Sequence, residues 1–396
     1  MDELPIRALV DSEFPGEWGE GSPRSGLVPC RVLRATNLGS SGIDYSTAAR
    51  RYVPEAKVNV KRLRRGDVVL EAAGGGPGVP VGRVARFDPP NEEWTYVVSN
   101  FFRTLRPAKN TDSRFVCHML HYLYRQPAIW QVQQQTTGII NLKVRDYLQL
   151  RVPVPPLEEQ RRIAEILDTI DETIQATERV IAKLWQARVG AVEYELNTID
   201  NKYRRSSLLD IVSIPSGQVD PRVEPWSSLT LVGPDHIEGD GRGRLLARVS
   251  ARDQGAISGK YRFEVGDVIY SKIRPELRKA WLTTFSGLCS ADMYPLSPGR
   301  TVMGEYVASV ILGQRFSRFA VSVSARSSGM PKVNRRELAE FRIALAPLEV
   351  QQTVARIAES YACRIESETA TLMKIKQVRS GLADDLLSGR VRTVAA

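Results

Sequence analysis

The sequence predicts an α+β fold in which two mixed α/β domains are separated by two long antiparallel coiled-coil helices, with an internal pseudo-two-fold repeat. Three observations predict it: one motif occurs twice, a heptad pattern follows each copy, and a block of short alternating segments precedes each copy. The predicted boundaries are a first domain at 1–153, a central helix at 154–198, a second domain at 199–344 and a C-terminal helix at 345–396.

The repeat is clearest at the motif itself. Residues 155–160 read Pro-Pro-Leu-Glu-Glu-Gln, and residues 346–351 read Ala-Pro-Leu-Glu-Val-Gln, an offset of 191. Within the blocks, Gly66-Asp67 resembles Gly266-Asp267 at an offset of 200. We infer a duplication in the order block, helix, block, helix.

Each motif is followed by apolar residues spaced alternately three and four apart. Proline and acidic residues in the first turn suit a helix N-terminus. The first seam is Ile163, Leu167, Ile170, Ile174, Thr177, Ile181 and Leu184, and the second is Val354, Ala358, Tyr361, Ile365, Glu368, Leu372 and Ile375. The narrow seam favours a two-helix coiled coil of ~35 residues, or ~50 Å, per helix over a helix buried in one globule.

The blocks are predicted to mix strands and helices. The predicted elements are strands at 67–70, 81–87 and 267–270, helices at 114–124 and 305–319, and a polar linker at 197–207.

Charge points to an acidic partner. The chain of 396 residues has a net charge of +10, but residues 1–153 carry +6 and residues 199–344 carry +7, whereas 154–198 carry −4 and 345–396 carry +1. Two separate basic blocks favour two surfaces that bind nucleic-acid phosphate.

The remaining composition indicates a cytoplasmic protein. Cys30, Cys117, Cys289 and Cys363 are far apart and form no CxxC pair, which suits a reducing compartment. The first five residues lack the features of a signal peptide, and no apolar run approaches ~20 residues.

Motifs that could carry catalysis are weak. Asp88-Pro89-Pro90-Asn91 lacks the aromatic residue that amino-methyltransferases use for stacking. The glycine-rich segment 74–78 lacks the end of a phosphate-binding P-loop, and Cys117, His118 and His121 have no evident fourth ligand. Asp235 and Glu238 lack the lysine of a nuclease site. We therefore interpret the chain as a binder without a catalytic or metal site.

Clusters of cations among small polar residues are the candidates for DNA contact, because Arg can clamp phosphate or guanine and Lys acts as a point charge. The candidates are Arg83, Arg86, Arg103, Arg106 and Lys109 in the first block, and Lys272, Arg274, Arg278, Lys279, Arg326 and Lys332 in the second.

These segments resemble the specificity subunits of type I restriction–modification enzymes. The resemblance is carried by residues 155–167 and their weaker repeat at 346–358, by 267–275 with 288–292, by 327–334 and by 386–392. It implies that the two blocks are target-recognition domains that bind a bipartite, asymmetric DNA sequence. It also implies that S-adenosylmethionine, ATP and Mg²⁺ are held by partners, namely modification subunits, two being expected, and restriction subunits.

Two alternatives are weaker. A stand-alone adenine methyltransferase needs a cofactor loop and an intact Asp-Pro-Pro-aromatic motif, and a structural coiled-coil adaptor leaves both basic blocks unexplained.

If the helices set the distance between the two DNA half-sites, a longer helix should lengthen the spacer that separates them. Four residues inserted between Ala176 and Thr177 would lengthen the helix by ~6 Å. We expect a target spacer that is longer by one or two base pairs in methylation mapping. An unchanged spacer in an active enzyme would contradict this ruler.

Overall fold

The computed structural model describes residues 2–39, 42–76, 78–91, 93–136, 138–325 and 329–393. It forms two compact units, one of Met1–Glu178 with Ala370–Ala396 and one of Arg179–Thr369. Each unit thus holds one of the predicted blocks and a part of each long helix. Among the described residues, no helix has the length and apolarity that crossing a membrane requires.

The first unit contains most of the strands. Its strands are β1 Asp2–Pro5, β2 Val10–Pro15, β3 Leu27–Leu33, β4 Leu38–Gly39, β5 Gly42–Ile43, β6 Ala49–Pro54, β7 Val68–Glu71, β8 Ala73–Gly75, β9 Val84–Arg86, β10 Tyr96–Val98, β11 Phe102–Pro107, β12 Gln133–Thr136, β13 Ile139–Leu142 and β14 Arg151–Val154. Its helices are α1 Glu55–Lys61, α2 Ser113–Tyr124, α3 Ala128–Gln131 and α4 Val144–Gln149, and α5 spans Leu157–Lys202.

The second unit repeats this plan with shorter strands. Its strands are β15 Arg205–Ser207, β16 Val212–Ser213, β17 Leu231–Val232, β18 Tyr261–Phe263, β19 Val268–Ser271, β20 Ala280–Leu282, β21 Gly287–Cys289, β22 Met293–Pro298 and β23 Arg342–Ala344. Its helices are α6 Leu208–Ile211, α7 Gly304–Leu312, α8 Gln314–Ser324 and α9 Arg335–Glu340, and α10 spans Leu348–Leu387.

The strand order confirms the predicted duplication. The main sheet has the order β2-β11-β7-β9 in the first unit and β16-β22-β19-β20 in the second. Val68 pairs with Leu105, and Val268 pairs with Leu296. The first members of these pairs differ by 200 and the second by 191, which are the offsets found in the sequence. Both offsets therefore relate positions that are structurally equivalent in the two units.

In each unit, the long helices contribute to the largest cluster of buried apolar residues. In the first, the fully buried Phe115 and Met119 of α2 lie in one cluster with Ile163 of α5 and Leu387 of α10. The second core includes Tyr306 of α7, Phe316 of α8, Ile199 of α5 and Val354 of α10.

The long helices pair within each unit. In the first unit, Arg379 Nε and Nη2 donate to the Asp171 carboxylate at 2.9 and 3.0 Å, and Lys376 Nζ lies 2.7 Å from Glu178 Oε1. From the first of these contacts to the second, the residue number rises along α5 and falls along α10. The two segments are therefore antiparallel. In the second unit, Arg188 Nε donates to the Ala358 carbonyl at 3.3 Å. Every position of the two predicted seams is buried or half-buried.

The motif glutamines have matching buried roles: each joins the start of a long helix to the unit in which that start lies. Gln160 Oε1 accepts from Asp112 N at 3.0 Å, and Gln160 Nε2 donates to the Pro155 carbonyl at 2.9 Å. Gln351 Oε1 accepts from Met303 N at 2.8 Å. Asp112 and Met303 are the N-cap residues of α2 and α7. The side chains thus satisfy backbone groups at a helix start.

Several element boundaries differ from the sequence predictions. The long helices have 46 and 40 residues, so the predicted ~35 is too short. The polar segment 197–207 is helical to Lys202, because Ile199 is buried in the core. The predicted helix 305–319 is two helices separated at Gly313. The strand predicted at 81–87 covers only Val84–Arg86, since Gly82 has a φ of +129° and leaves the extended conformation.

Candidate nucleic-acid interface

The cationic segment after β19 is held to the second unit along its length. Ser271 N donates to the Lys279 carbonyl at 3.0 Å and closes the segment on itself. Lys272 N donates to the Asp292 carbonyl at 3.0 Å, and Arg274 N donates to the Pro331 carbonyl at 3.0 Å. Pro275 is buried. These bonds fix the backbone from which the cations project, and we call residues 271–279 the cationic loop.

Two residues of the cationic loop have left-handed backbone conformations. Arg274 has a φ of +48° and Arg278 a φ of +50°, on either side of a 3-10 turn at Pro275–Leu277. A residue with a Cβ pays roughly 1–2 kcal/mol to adopt this region. Such strain persists where the surroundings fix the backbone, and it is frequent at functional sites.

The side chains of the cationic loop divide into anchors and presented groups. Arg278 Nη2 donates to the carbonyl of Leu312, the last residue of α7, and Lys279 Nζ donates to the Pro234 carbonyl at 2.8 Å. In contrast, the Arg274 side chain is exposed and has no hydrogen-bond or ion-pair partner among the described residues. Two of the predicted contact residues, Arg278 and Lys279, therefore fix the loop, whereas the Arg274 side chain is exposed and available for binding.

Of the other predicted cations of the second unit, Lys272 lies within the cationic loop and Lys332 is bridged to it. The Lys272 ammonium is 5.3 Å from the centre of the Tyr294 ring. Lys332 is exposed, and its backbone forms a bridge with Ile273. Arg326 lies outside the described residues.

In the first unit, four predicted contact residues form ion pairs within the protein. Arg83 makes two bonds to Glu71, of 2.7 and 2.8 Å, and this hydrogen bonding raises the pKa of the arginine. The other pairs are Arg86 with Asp88 at 2.9 Å, Arg103 with Glu13 at 3.1 Å and Arg106 with Asp67 at 2.7 Å. Lys109 is exposed and has no such partner in the described part of the chain.

The first unit has a glycine-rich segment where the second has the cationic loop. Asn141 pairs with Ala73 in the first unit, as Lys332 pairs with Ile273 in the second. A Cβ built on Gly75 would lie 2.7 Å from the Val81 side chain and 2.8 Å from the Val79 carbonyl oxygen. Glycine is thus required there by close packing. The same framework carries different side chains in the two units.

The residues weighed as catalytic or metal-binding have ordinary structural partners. Asp88 pairs with Arg65 and Arg86. His118 Nε2 lies 2.8 Å from Asp168 Oδ1. Glu238 pairs with Arg242 and Arg244 at 2.8 Å each.

Sequence reasoning missed two basic residues that stack on aromatic rings, and also Arg64, an exposed cation in the turn before β7. Arg51 lies 4.1 Å from the centre of the Trp18 ring, and Arg248 lies 4.2 Å from that of Phe285. Their aromatic partners are distant in sequence, so no local pattern marks them. Arg64 was within reach of sequence analysis, because residues 61–65 contain four cations.

The chain is similar to the specificity subunits of type I restriction–modification systems. Residues 49–186 match the family model of the type I restriction modification DNA specificity domain. The chain is 27% identical over 276 residues to the EcoDI specificity subunit of Escherichia coli, covering 60% of this chain and 59% of that protein. It is 30% identical over 150 residues to the EcoKI specificity subunit of E. coli K12, covering 37% of this chain and 30% of that protein.

Solved structures show the same fold across almost the whole chain. The S subunit of a type I restriction–modification system from M. genitalium aligns with a TM-score of 0.58 at 13% identity, covering 98% of this chain and 96% of that one. A chain from a study of type I system assembly and conformational transition aligns with a TM-score of 0.56 at 14% identity, covering 98% of each.

Proposed function

We propose that this chain, which belongs to the family of type I restriction–modification specificity subunits, selects a bipartite and asymmetric DNA target. Each unit would read one half-site. The observation that carries the proposal is the repeated framework, with a glycine-rich segment in one unit and the cationic loop in the other. Equivalent frameworks with different exposed side chains are what two unlike half-sites require, because base edges are read by side chains.

The ion pairs narrow the proposed set of contact residues. Arg83, Arg86, Arg103 and Arg106 would have to give up carboxylate partners in order to bind phosphate. Lys109 and Arg274 are exposed and need no such exchange, and Lys272, Arg326 and Lys332 remain candidates. We therefore expect Arg274 to give the main specific contact of the second unit.

The chain would recognise DNA without catalysing a reaction on it. In this proposal, modification subunits supply S-adenosylmethionine and methylate adenine, and restriction subunits supply the ATP- and Mg²⁺-dependent cleavage. The assembly would act in the cytoplasm. Apolar side chains exposed on the long helices offer docking positions for two modification subunits, among them Tyr194 at 71% exposure and Met373 at 62%.

Genome-wide mapping of N6-methyladenine, with and without the gene for this chain, tests the proposal. We expect one bipartite, asymmetric motif to lose methylation when the gene is absent. Binding of a duplex with that motif across a salt series would then show a specific complex. An unchanged methylome, with the partner subunits shown to be expressed, together with equal binding of any sequence, would overturn it.

A further inference from the structure

A cavity of about 350 Å³ that opens on the surface of the first unit is lined by more cations than acids. It lies among the turn that precedes β7, the segment that joins β11 to α2, and the first turn of α5. The charged residues that line it are Arg64, Arg65, Arg106, Lys109 and Arg161, with Asp67 and Asp112 as the two acids. The lining therefore carries an excess of positive charge.

The two acids of the cavity are already engaged. Asp67 accepts from Arg106 at 2.7 and 2.9 Å, and Asp112 accepts from two backbone N–H groups of α2. Arg64 and Lys109 are exposed, and their side chains have neither a hydrogen bond nor an ion pair within the described ranges. Two cations at the cavity thus lack a compensating charge from the protein.

The second unit provides an internal comparison. Through the two offsets, the five cations of the cavity correspond to Glu264, Val265, Ser297, Arg300 and Gln352. Only one of these is a cation, although strand register and the motif glutamine are the same in both units. The common fold therefore does not require cations at these positions, and Arg64 and Lys109 make no internal contact that would explain their charge.

We propose that the cavity binds a phosphate group. Guanidinium groups match phosphate oxygens in a bidentate geometry, and an ammonium adds a point charge. No aromatic ring is among the described residues that line the cavity, so a base would find no stacking partner there. The phosphate could come from a DNA backbone or from a nucleotide, and only the DNA source rests on the proposed function.

The double variant Arg64→Ala, Lys109→Ala in the full chain tests this inference. Neither side chain has an internal partner in the part of the chain described, so Tm should be unchanged. Calorimetric titration with inorganic pyrophosphate should show affinity reduced by about tenfold or more, because each lost cation removes a charge-assisted bond. Arg300→Ala, at the position that corresponds to Lys109, is the matched control and should bind pyrophosphate as the wild type does.

A parallel titration with the target duplex across a KCl series separates the two sources. A DNA source predicts weaker duplex binding and a salt slope that is smaller by about one to two. A nucleotide source predicts weaker pyrophosphate and ATP binding with unchanged duplex binding. Equal pyrophosphate affinity in the double variant, the control and the wild type would overturn the inference. A wild-type chain without sequence preference would instead overturn the proposed function.

Discussion

Replacement of Arg274 by alanine is expected to lower discrimination at one base pair of one half-site by about 10- to 100-fold. The cationic loop holds the Arg274 backbone by the bond from its N–H to Pro331 and by the neighbouring anchors Arg278 and Lys279. A fixed backbone lets the guanidinium approach a guanine edge without a large loss of conformational entropy. The loss should therefore concern one position of the motif.

The readout is the methylated motif in cells that express the variant with its partner subunits. One position of one half-site should become degenerate, while the other half-site and the spacer stay unchanged. Arg262→Ala is a suitable control, because Arg262 is exposed in the same unit and pairs with Glu264 at 2.9 Å. Its motif should match that of the wild type. Degeneracy spread over both half-sites would contradict a local contact.

The Arg274→Lys variant distinguishes base reading from phosphate contact. Lysine keeps the charge but lacks the planar fork that bonds both guanine acceptors. We expect Arg274→Lys to keep most of the affinity and to lose the discrimination. If it retains the wild-type motif, Arg274 contacts phosphate and another residue reads the base.

The duplication could be predicted from the sequence because it is recorded in local patterns. Both offsets are readable from short motifs, and the heptad seam is visible because helix periodicity depends on neighbouring residues. The strand register then places Val68 opposite Leu105 and Val268 opposite Leu296, as the offsets require.

The roles of individual cations could not be predicted in the same way. Arg106 pairs with Asp67, which lies 39 residues earlier, and Arg103 pairs with Glu13. Such partners are brought together by strand pairing, so a local cluster of arginines cannot reveal which are already neutralised. The same holds for Arg278, whose acceptor is the carbonyl of Leu312 at the end of a separate helix.

The motif glutamines show this limit most clearly. Their place in the repeated motif is visible in the sequence, but their hydrogen-bond partners are not. The Pro-Leu-Glu-x-Gln pattern predicts a helix start from its proline and acidic residues. The glutamine instead makes long-range hydrogen bonds: Gln351 is 0% exposed and bonds to groups up to 50 residues away. Its partner at the start of α7 cannot be recognised from the helix signals in the motif.

Replacement of Gln351 by leucine is expected to destabilise the second unit by about 3–5 kcal/mol. The variant would leave the Met303 N–H and the carbonyls of Thr301 and Ala346 without the partner that the Gln351 amide provides. Each buried group left unsatisfied costs about 1–3 kcal/mol. Gln160→Leu leaves two such groups, the Asp112 N–H and the Pro155 carbonyl, without their partner. It should therefore lower the stability of the first unit by about 2–4 kcal/mol.

Hydrogen exchange measured by mass spectrometry gives a readout for each unit. Gln351→Leu should accelerate exchange in peptides that cover 300–312, and Gln160→Leu should do so in peptides that cover 110–124. Gln352→Leu is the matched control, because Gln352 is exposed and only accepts from Arg356 at 2.7 Å. Its effect should stay within about 0.5 kcal/mol.

The comparison between the adjacent glutamines decides the physical cause. Both substitutions remove one amide from the first turns of α10 and add the same leucine, so helix propensity and side-chain volume change equally. A large loss for Gln351→Leu alone therefore follows from the three hydrogen bonds of its buried amide. Equal small losses for the two variants would mean that water or backbone movement satisfies these groups. The motif glutamine would then not be what holds the start of a long helix to the surrounding unit.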